Sequence, residues 1–257
     1  MEVDSVRRYR AGDEVRAIDW RVTARRGHLH VRRFVEERNL EVFLVVDRSA
    51  SLHDLCSEAP GRAAVDVAAL LAVAASRAAQ RVSLLQVTDA IESYIRPGSG
   101  RRHGLHILHS LMALRSRGRG TDLPAALRAA RRAMTARGLV VVVSDFEGIE
   151  PERFGDELGR IAHRHDVLPV VLRVPGMEDL PSVGVVRIVD PETGRSAVVD
   201  TSDAQVRTAL AARARRARER LDDLFGSAGV RPLHLDPSRD VAPQLLRHFT
   251  LRSRRTA

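Results

Sequence analysis

The chain contains no lysine; its 42 basic residues are all arginines. With abundant alanine, valine and leucine, this has the look of GC-rich coding rather than of selected basic patches, so the net charge of +9 says little for nucleic acid. The arginines are mostly interleaved with acids, and aromatics make up only 4% of residues, too few to line a groove that stacks single-stranded bases. Without lysine there is no Gly-x-x-x-x-Gly-Lys phosphate loop, so any ATP hydrolysis falls to a partner. The single cysteine, Cys56, excludes an internal disulfide framework and a cysteine-built zinc cluster. No stretch approaches the ~20 consecutive apolar residues of a membrane span, and Met1 opens a charged segment rather than a signal peptide. The expectation is a cytoplasmic protein with no membrane span and no nucleic-acid partner.

Catalytic signatures are also missing. There is no Gly-x-Ser-x-Gly elbow of the kind that presents a serine nucleophile in an α/β-hydrolase. An aspartyl-phosphate enzyme with Asp47 as nucleophile commonly carries a second acid two residues on, where this chain has Ser49. No enzymatic activity is expected. The readings kept as alternatives are a metal-dependent hydrolase or phosphatase using Asp47 or Ser49, and a basic nucleic-acid-binding protein.

What is present is an alternation of apolar strands and amphipathic helices. Val42–Val46 and Leu139–Val143 are apolar on both faces, as central parallel strands are. Between and after them, helices are predicted over 62–79, 104–115, 122–137, 151–165, 203–225 and 241–249, and strands over 81–87, 91–95, 167–174 and 230–235. Pro191-Glu192-Thr193-Gly194 joins two late strands as a hairpin spanning about 184–201. The pattern predicts a doubly wound, mainly parallel α/β sheet over 41–257, preceded by a charged, irregular arm over 1–40.

The most informative residues stand at strand ends. Asp47-Arg48-Ser49-Ala50-Ser51 follows directly on the first apolar run and presents an Asp-x-Ser-x-Ser spacing. Alternate residues of an extended turn face the same way, so the oxygens of Asp47, Ser49 and Ser51 can converge. Thr121 follows Gly118-Arg119-Gly120, whose glycines allow a sharp turn, and Asp145 ends the second apolar run. In open α/β sheets, ligands bind outside the carboxyl ends of the strands. Two carboxylates and three hydroxyls nearly neutralise a divalent cation and leave room for water and one outside ligand. That donor set suits Mg²⁺, or Mn²⁺ in its place.

This constellation resembles the metal-ion-dependent adhesion site of von Willebrand factor A-type domains, with its Asp-x-Ser-x-Ser, Thr and Asp. The resemblance implies that Ser49, Ser51 and Thr121 contact the metal and that Asp47 and Asp145 hold it directly or through water. It also implies an open position taken by a carboxylate from a partner protein. A second resemblance covers nearly the whole chain. Residues 8–20, Thr23-Ala24-Arg25, Phe34-Val35-Glu36-Glu37-Arg38, Gly120-Thr121-Asp122-Leu123, Ser144-Asp145-Phe146, His165-Asp166-Val167 and Glu192-Thr193-Gly194 are similar to the bacterial "domain of unknown function 58" family. Such proteins carry a von Willebrand A-type domain. The resemblance implies an adaptor for AAA+ ATPases of the MoxR type in chaperone-like or complex-assembly work. Leu52 stands where the family usually has Met, and Pro175-Gly176-Met177-Glu178 replaces a more charged motif, to which no role is carried over.

Other residues admit two readings. Arg48 puts a cation beside the site and is a candidate to guide an acidic partner; the plainer reading is a solvated side chain. Asp13, Arg16, Asp19, Trp20 and Arg25 form a candidate docking surface for the ATPase. The plainer reading is an ion-paired clasp pinning the arm to the main domain, with Trp20 as its apolar anchor. His103, His106 and His109 share one helix face but have no acidic or sulfur co-ligand, so a solvated or capping role is preferred. His163 and His165 are read as helix-end residues, a place that favours a protonated imidazole.

Overall fold

The computed structural model describes residues 3–10, 13–34, 40–52, 59–173 and 180–256. Cys56, Gly12, Val35 to Arg38 and Pro175-Gly176-Met177-Glu178 lie outside the described residues. The chain divides into two units, Met1–Asn39 and Leu40–Ala257.

The first unit is not the irregular arm expected. Strands β1 (Val3–Arg8) and β2 (His30–Phe34) pair antiparallel, with Arg8 opposite His30, and helix α1 (Trp20–Arg26) lies between them in sequence. Asp19 caps α1, its Oδ1 accepting from the backbone N–H groups of Arg21 and Val22 at 3.0 and 3.1 Å. Gly27, at φ 70°, ends it. Ile18 and Val31 are buried and bridge each other. The arginines on both strands hid this small element pair from a reading based on hydrophobic alternation.

The second unit is built on a six-stranded sheet. Its strands are β3 (Glu41–Asp47), β4 (Arg81–Val87), β5 (Ile91–Gly98), β6 (Gly138–Ser144), β7 (Asp166–Leu172) and β10 (Leu233–Leu235). Their order is β10-β7-β6-β3-β4-β5, parallel throughout except for the antiparallel edge strand β5. The helices are α2 (Ala59–Arg77), α3 (Gly100–Ala113), α4 (Leu123–Ala133), α5 (Pro151–Ala162), α6 (Ala204–Ser227) and α7 (Val241–Thr256). A separate hairpin, β8 (Val185–Val189) and β9 (Ser196–Asp200), pairs only with itself. This is the doubly wound, mainly parallel α/β architecture read from the sequence.

Strand β3 shows why the sheet needs two helical layers. Val42, Leu44 and Val46 enter one core with α2, α3 and α7; Phe43 and Val45 enter the other with α4, α5 and Phe225 of α6. Every residue of β3 is buried, as a run without polar alternation requires. Helix α2 is long and apolar enough by length and composition to cross a bilayer, but one face of it, with Ala64, Val67, Ala68 and Ala72, packs into the sheet's core. Boundaries moved by a few residues: α4 stops at Ala133, before the predicted 137, and β10 is three residues rather than six.

The winding also singles out one crevice. From β3 the chain crosses to β4 on one side, and the next parallel strand, β6, joins on the other side. The carboxyl ends of β3 and β6 therefore flank a topological switch point, where open sheets leave space for a ligand.

Candidate metal centre

Asp47 ends β3 and is fully buried. Its Oδ1 accepts from the Ser49 backbone N–H at 2.8 Å, which curls the turn so that the Ser49 and Ser51 hydroxyls meet at 3.0 Å. Ala50 donates its N–H to the Arg119 carbonyl at 2.9 Å, tying this turn to the loop that carries Thr121. That loop approaches closely: a Cβ on Gly118 would lie 1.7 Å from Asp89 Oδ1. Glycine is needed at 118 for close packing, whereas the sequence reading gave it a role in turning the chain.

Thr121 is free for the site because its neighbour does the capping. Asp122 is the N-cap of α4, its Oδ1 accepting from the Ala125 N–H at 2.9 Å. The Thr121 hydroxyl points instead at Asp47 Oδ2, 3.5 Å away. Asp145 lies one residue beyond β6. In the parallel register Val46 pairs with Val143, so the neighbour of Asp47 is Ser144, whose hydroxyl donates to Asp47 Oδ2 at 2.6 Å. Asp145 Oδ1 accepts from the Glu147 N–H at 3.1 Å, while its buried Oδ2 has no hydrogen-bond partner. Phe146, at φ 60°, holds this turn in a left-handed conformation that a bulky side chain rarely adopts. The ring is locked edge-on against Phe154 and Phe225, with centroids at 5.6 and 5.4 Å.

The five residues read from the sequence thus share one edge of the sheet. Among the described residues no three His, Cys, Asp or Glu side chains are grouped as in a conventional metal cluster. The candidate site instead mixes carboxylates with hydroxyls. Burial, then the charge of Asp145, pushes the Asp47 carboxyl up to about 7, against the lowering effect of the Ser144 and Ser49 hydrogen bonds. Burial also raises Asp145 and Glu147. The orphaned Asp145 Oδ2 and an all-oxygen donor set fit a hard divalent cation.

Two participants were not found from the sequence. Ser144 was quoted only as part of a motif, and its role follows from register. Glu192 sits in the β8–β9 turn, and its Oε1 accepts from the hydroxyls of Ser51 at 3.3 Å and Thr121 at 3.2 Å. Burial raises its carboxyl too. The hairpin signal placed Glu192 in a turn but carried no hint that the turn folds back 141 residues to Ser51.

The remaining candidates fall elsewhere. Arg48 is not solvated: it is 6% exposed, its Nη2 donates to the Leu114 carbonyl at 3.3 Å, and Nε and Nη1 have no hydrogen-bond partner. In the first unit, Asp13 accepts two hydrogen bonds from Arg7 at 2.6 and 2.8 Å, a pair internal to that unit. Trp20 is 64% exposed, and Arg16 and Arg25 are exposed. His103 donates through Nε2 to the Val82 carbonyl at 2.7 Å, while His106 and His109 are exposed. His165 reverses its expectation. It is 2% exposed and burial pushes its imidazole down, so desolvation outweighs the helix-end charge.

Comparison with known proteins agrees with this architecture. The chain is 35% identical over 256 residues to the uncharacterized protein Mb1516 of Mycobacterium bovis, covering 96% of this chain and 78% of that one. Among solved structures, an aerotolerance-related membrane protein from Bacteroides fragilis aligns with a TM-score of 0.53 and 16% identity, over 80% of this chain and 96% of that one. BatB from Bacteroides thetaiotaomicron aligns with a TM-score of 0.50 and 12% identity, over 85% and 100%. At those identities the likeness is one of fold. The model of the family described as protein of unknown function DUF58 matches residues 5–220, and the chain belongs to that family.

Proposed function

We propose that the protein is a cation-dependent protein-interaction module that binds Mg²⁺ or Mn²⁺ at the carboxyl edge of its sheet. Asp47, Ser49, Ser51, Thr121 and Asp145 would hold the ion. A bound divalent cation supplies a Lewis-acidic attachment point for one carboxylate of a partner protein. The observation that carries this reading is the buried, unpartnered Asp145 Oδ2 beside three convergent hydroxyls. A buried carboxylate oxygen left without a hydrogen bond costs more than one bound to a cation. Binding is favoured over chemistry because no histidine activates the serines: among the described residues Ser49 and Ser51 bond each other, Ser51 donates to Glu192, and neither bonds a histidine.

Within the family resemblance, the partner is an AAA+ ATPase of the MoxR type, with the chain acting as its adaptor in the cytoplasm. The absence of a phosphate loop supports that division of labour. Calorimetric titration with Mg²⁺ and Mn²⁺ tests the core of the proposal. The wild type is expected to bind and the Asp47→Ala/Ser49→Ala double variant is not; equal binding by both would sink it. A pull-down of the ATPase with and without chelator tests the adaptor role, with capture expected only when the cation is present.

A further inference from the structure

The β8–β9 hairpin stands apart from the rest of the fold. It pairs with no strand of the main sheet, and its residues are exposed or half-buried apart from Thr201 at its base. Its turn nevertheless reaches the candidate metal centre and is held there in several ways. Arg119 donates through Nε and Nη2 to the Pro191 carbonyl at 3.1 and 2.6 Å. Arg119 also accepts from Ala50, so the residue that grips the hairpin is the one that grips the Asp-x-Ser-x-Ser turn. Glu192 then places one carboxylate oxygen between the Ser51 and Thr121 hydroxyls. Its other oxygen lies over Gly148, where a Cβ would come within 2.6 Å.

The turn is preshaped for this task. Asp190 accepts from the backbone N–H groups of Glu192 and Thr193 at 2.9 and 3.2 Å and from the Thr193 hydroxyl at 2.6 Å. Gly194, at φ 71°, closes the loop by donating to the Asp190 carbonyl at 2.8 Å. The hairpin thus holds Glu192 in place through its own bonds. Among the described residues Glu192 forms no ion pair with any arginine, in a chain that has 42 of them. Glu192 Oε1 shares the Thr121 hydroxyl with Asp47 Oδ2, so a cation bound there would meet both carboxylates.

We propose that Glu192 is the site's internal carboxylate ligand, occupying the position a partner's carboxylate would take, so that a partner must displace the hairpin to bind. The inference rests on the cation-site reading above. It turns the hairpin into a competitor for its own site: the effective concentration of a tethered carboxylate is high, and an outside ligand must overcome it. A partner whose acidic residue binds the ion more tightly, or which also contacts the released hairpin, would open the site.

The test uses the full chain and Mn²⁺ as probe, with three measurements on the wild type, Glu192→Gln, Glu192→Asp and the Asp47→Ala/Ser49→Ala variant. Calorimetry should give Mn²⁺ binding about tenfold weaker in Glu192→Gln than in the wild type, with recovery toward wild type in Glu192→Asp. Hydrogen exchange should show amides of residues 185–200 protected by Mg²⁺ in the wild type but not in Glu192→Gln. Water-proton relaxation of bound Mn²⁺ should report more exchangeable water in Glu192→Gln, and added acetate should displace that water there but not in the wild type. Equal Mn²⁺ affinity, equal hairpin protection and equal hydration in the wild type and Glu192→Gln would overturn the inference while leaving the cation site intact. A wild type that binds no Mn²⁺ would overturn both.

Discussion

Two regions of this protein hold carboxylates out of water, and they do so in opposite ways. On α5, Glu157 is 4% exposed and is ringed by arginines: Arg160 at 2.8 Å, Arg131 at 3.8 Å and Arg128 at 4.0 Å. At the carboxyl edge of the sheet, Asp47, Asp145 and Glu192 meet hydroxyls and backbone N–H groups, and none forms an ion pair among the described residues. The nearest guanidinium in sequence, Arg48, is turned to the Leu114 carbonyl. With so many arginines available, leaving three acids without one is a property of that edge and not of the composition. The first region meets its carboxylate with charge from within the chain; the second meets its carboxylates with hydroxyls and backbone N–H groups alone.

Substitutions distinguish the two regions. The largest effect is expected at Glu157→Ala, which leaves three arginines facing a partly buried gap. Because those arginines are partly solvated, the loss should be about 1–3 kcal/mol in urea unfolding. Asp47→Asn, measured in chelator, should cost nothing or stabilise, since it removes a carboxyl that burial and Asp145 hold unfavourably. The two regions would be alike after all if Asp47→Asn destabilised as much as Glu157→Ala. Next in size, Ser144→Ala leaves Asp47 Oδ2 with only the long Thr121 contact. Unfolding should show a loss of about 1 kcal/mol, with weaker cation binding by calorimetry.

The smallest effects are slopes with pH, best read from melting temperatures in chelator. The folded Asp47 carboxyl keeps its proton up to about 7, whereas a free aspartic acid side chain loses it near 3.8. Between those values the folded state binds more protons, so this group makes stability fall as pH rises, and Asp47→Asn should remove that slope. His165 acts in the other direction. Its unfolded imidazole protonates near 6.5 while the buried one resists, so stability is lost as pH falls below that value. His165→Gln should flatten that part of the curve.

Much of this architecture was legible in the sequence because it is local. Val42–Val46 and Leu139–Val143 announce buried strands by lacking any polar alternation, and their ends place Asp47 and Asp145 without knowledge of the fold. Thr121 followed from glycines just before a helix start, although Asp122 proved to be the cap. What escaped depends on distance or register. Ser144 matters because parallel pairing sets it, and not Asp145, beside Asp47. Glu192 matters because a hairpin outside the sheet folds over its edge. Arg48 reads as a solvated side chain and His165 as a protonated helix-end residue, and only packing shows both buried. The first unit was hidden by strands whose charged residues outnumber the apolar ones.

Trp20 carries a practical consequence. It is the chain's single tryptophan, it belongs to the first unit, and it is already 64% exposed in the folded state. Its emission will therefore shift little when the molecule unfolds, and whatever change it shows will describe the small unit. The main sheet keeps its own optical reporter, Tyr94, stacked on Phe43 with ring centroids 6.1 Å apart. A melt followed by tryptophan fluorescence would be blind to the sheet that carries the candidate site; circular dichroism or tyrosine emission would see it.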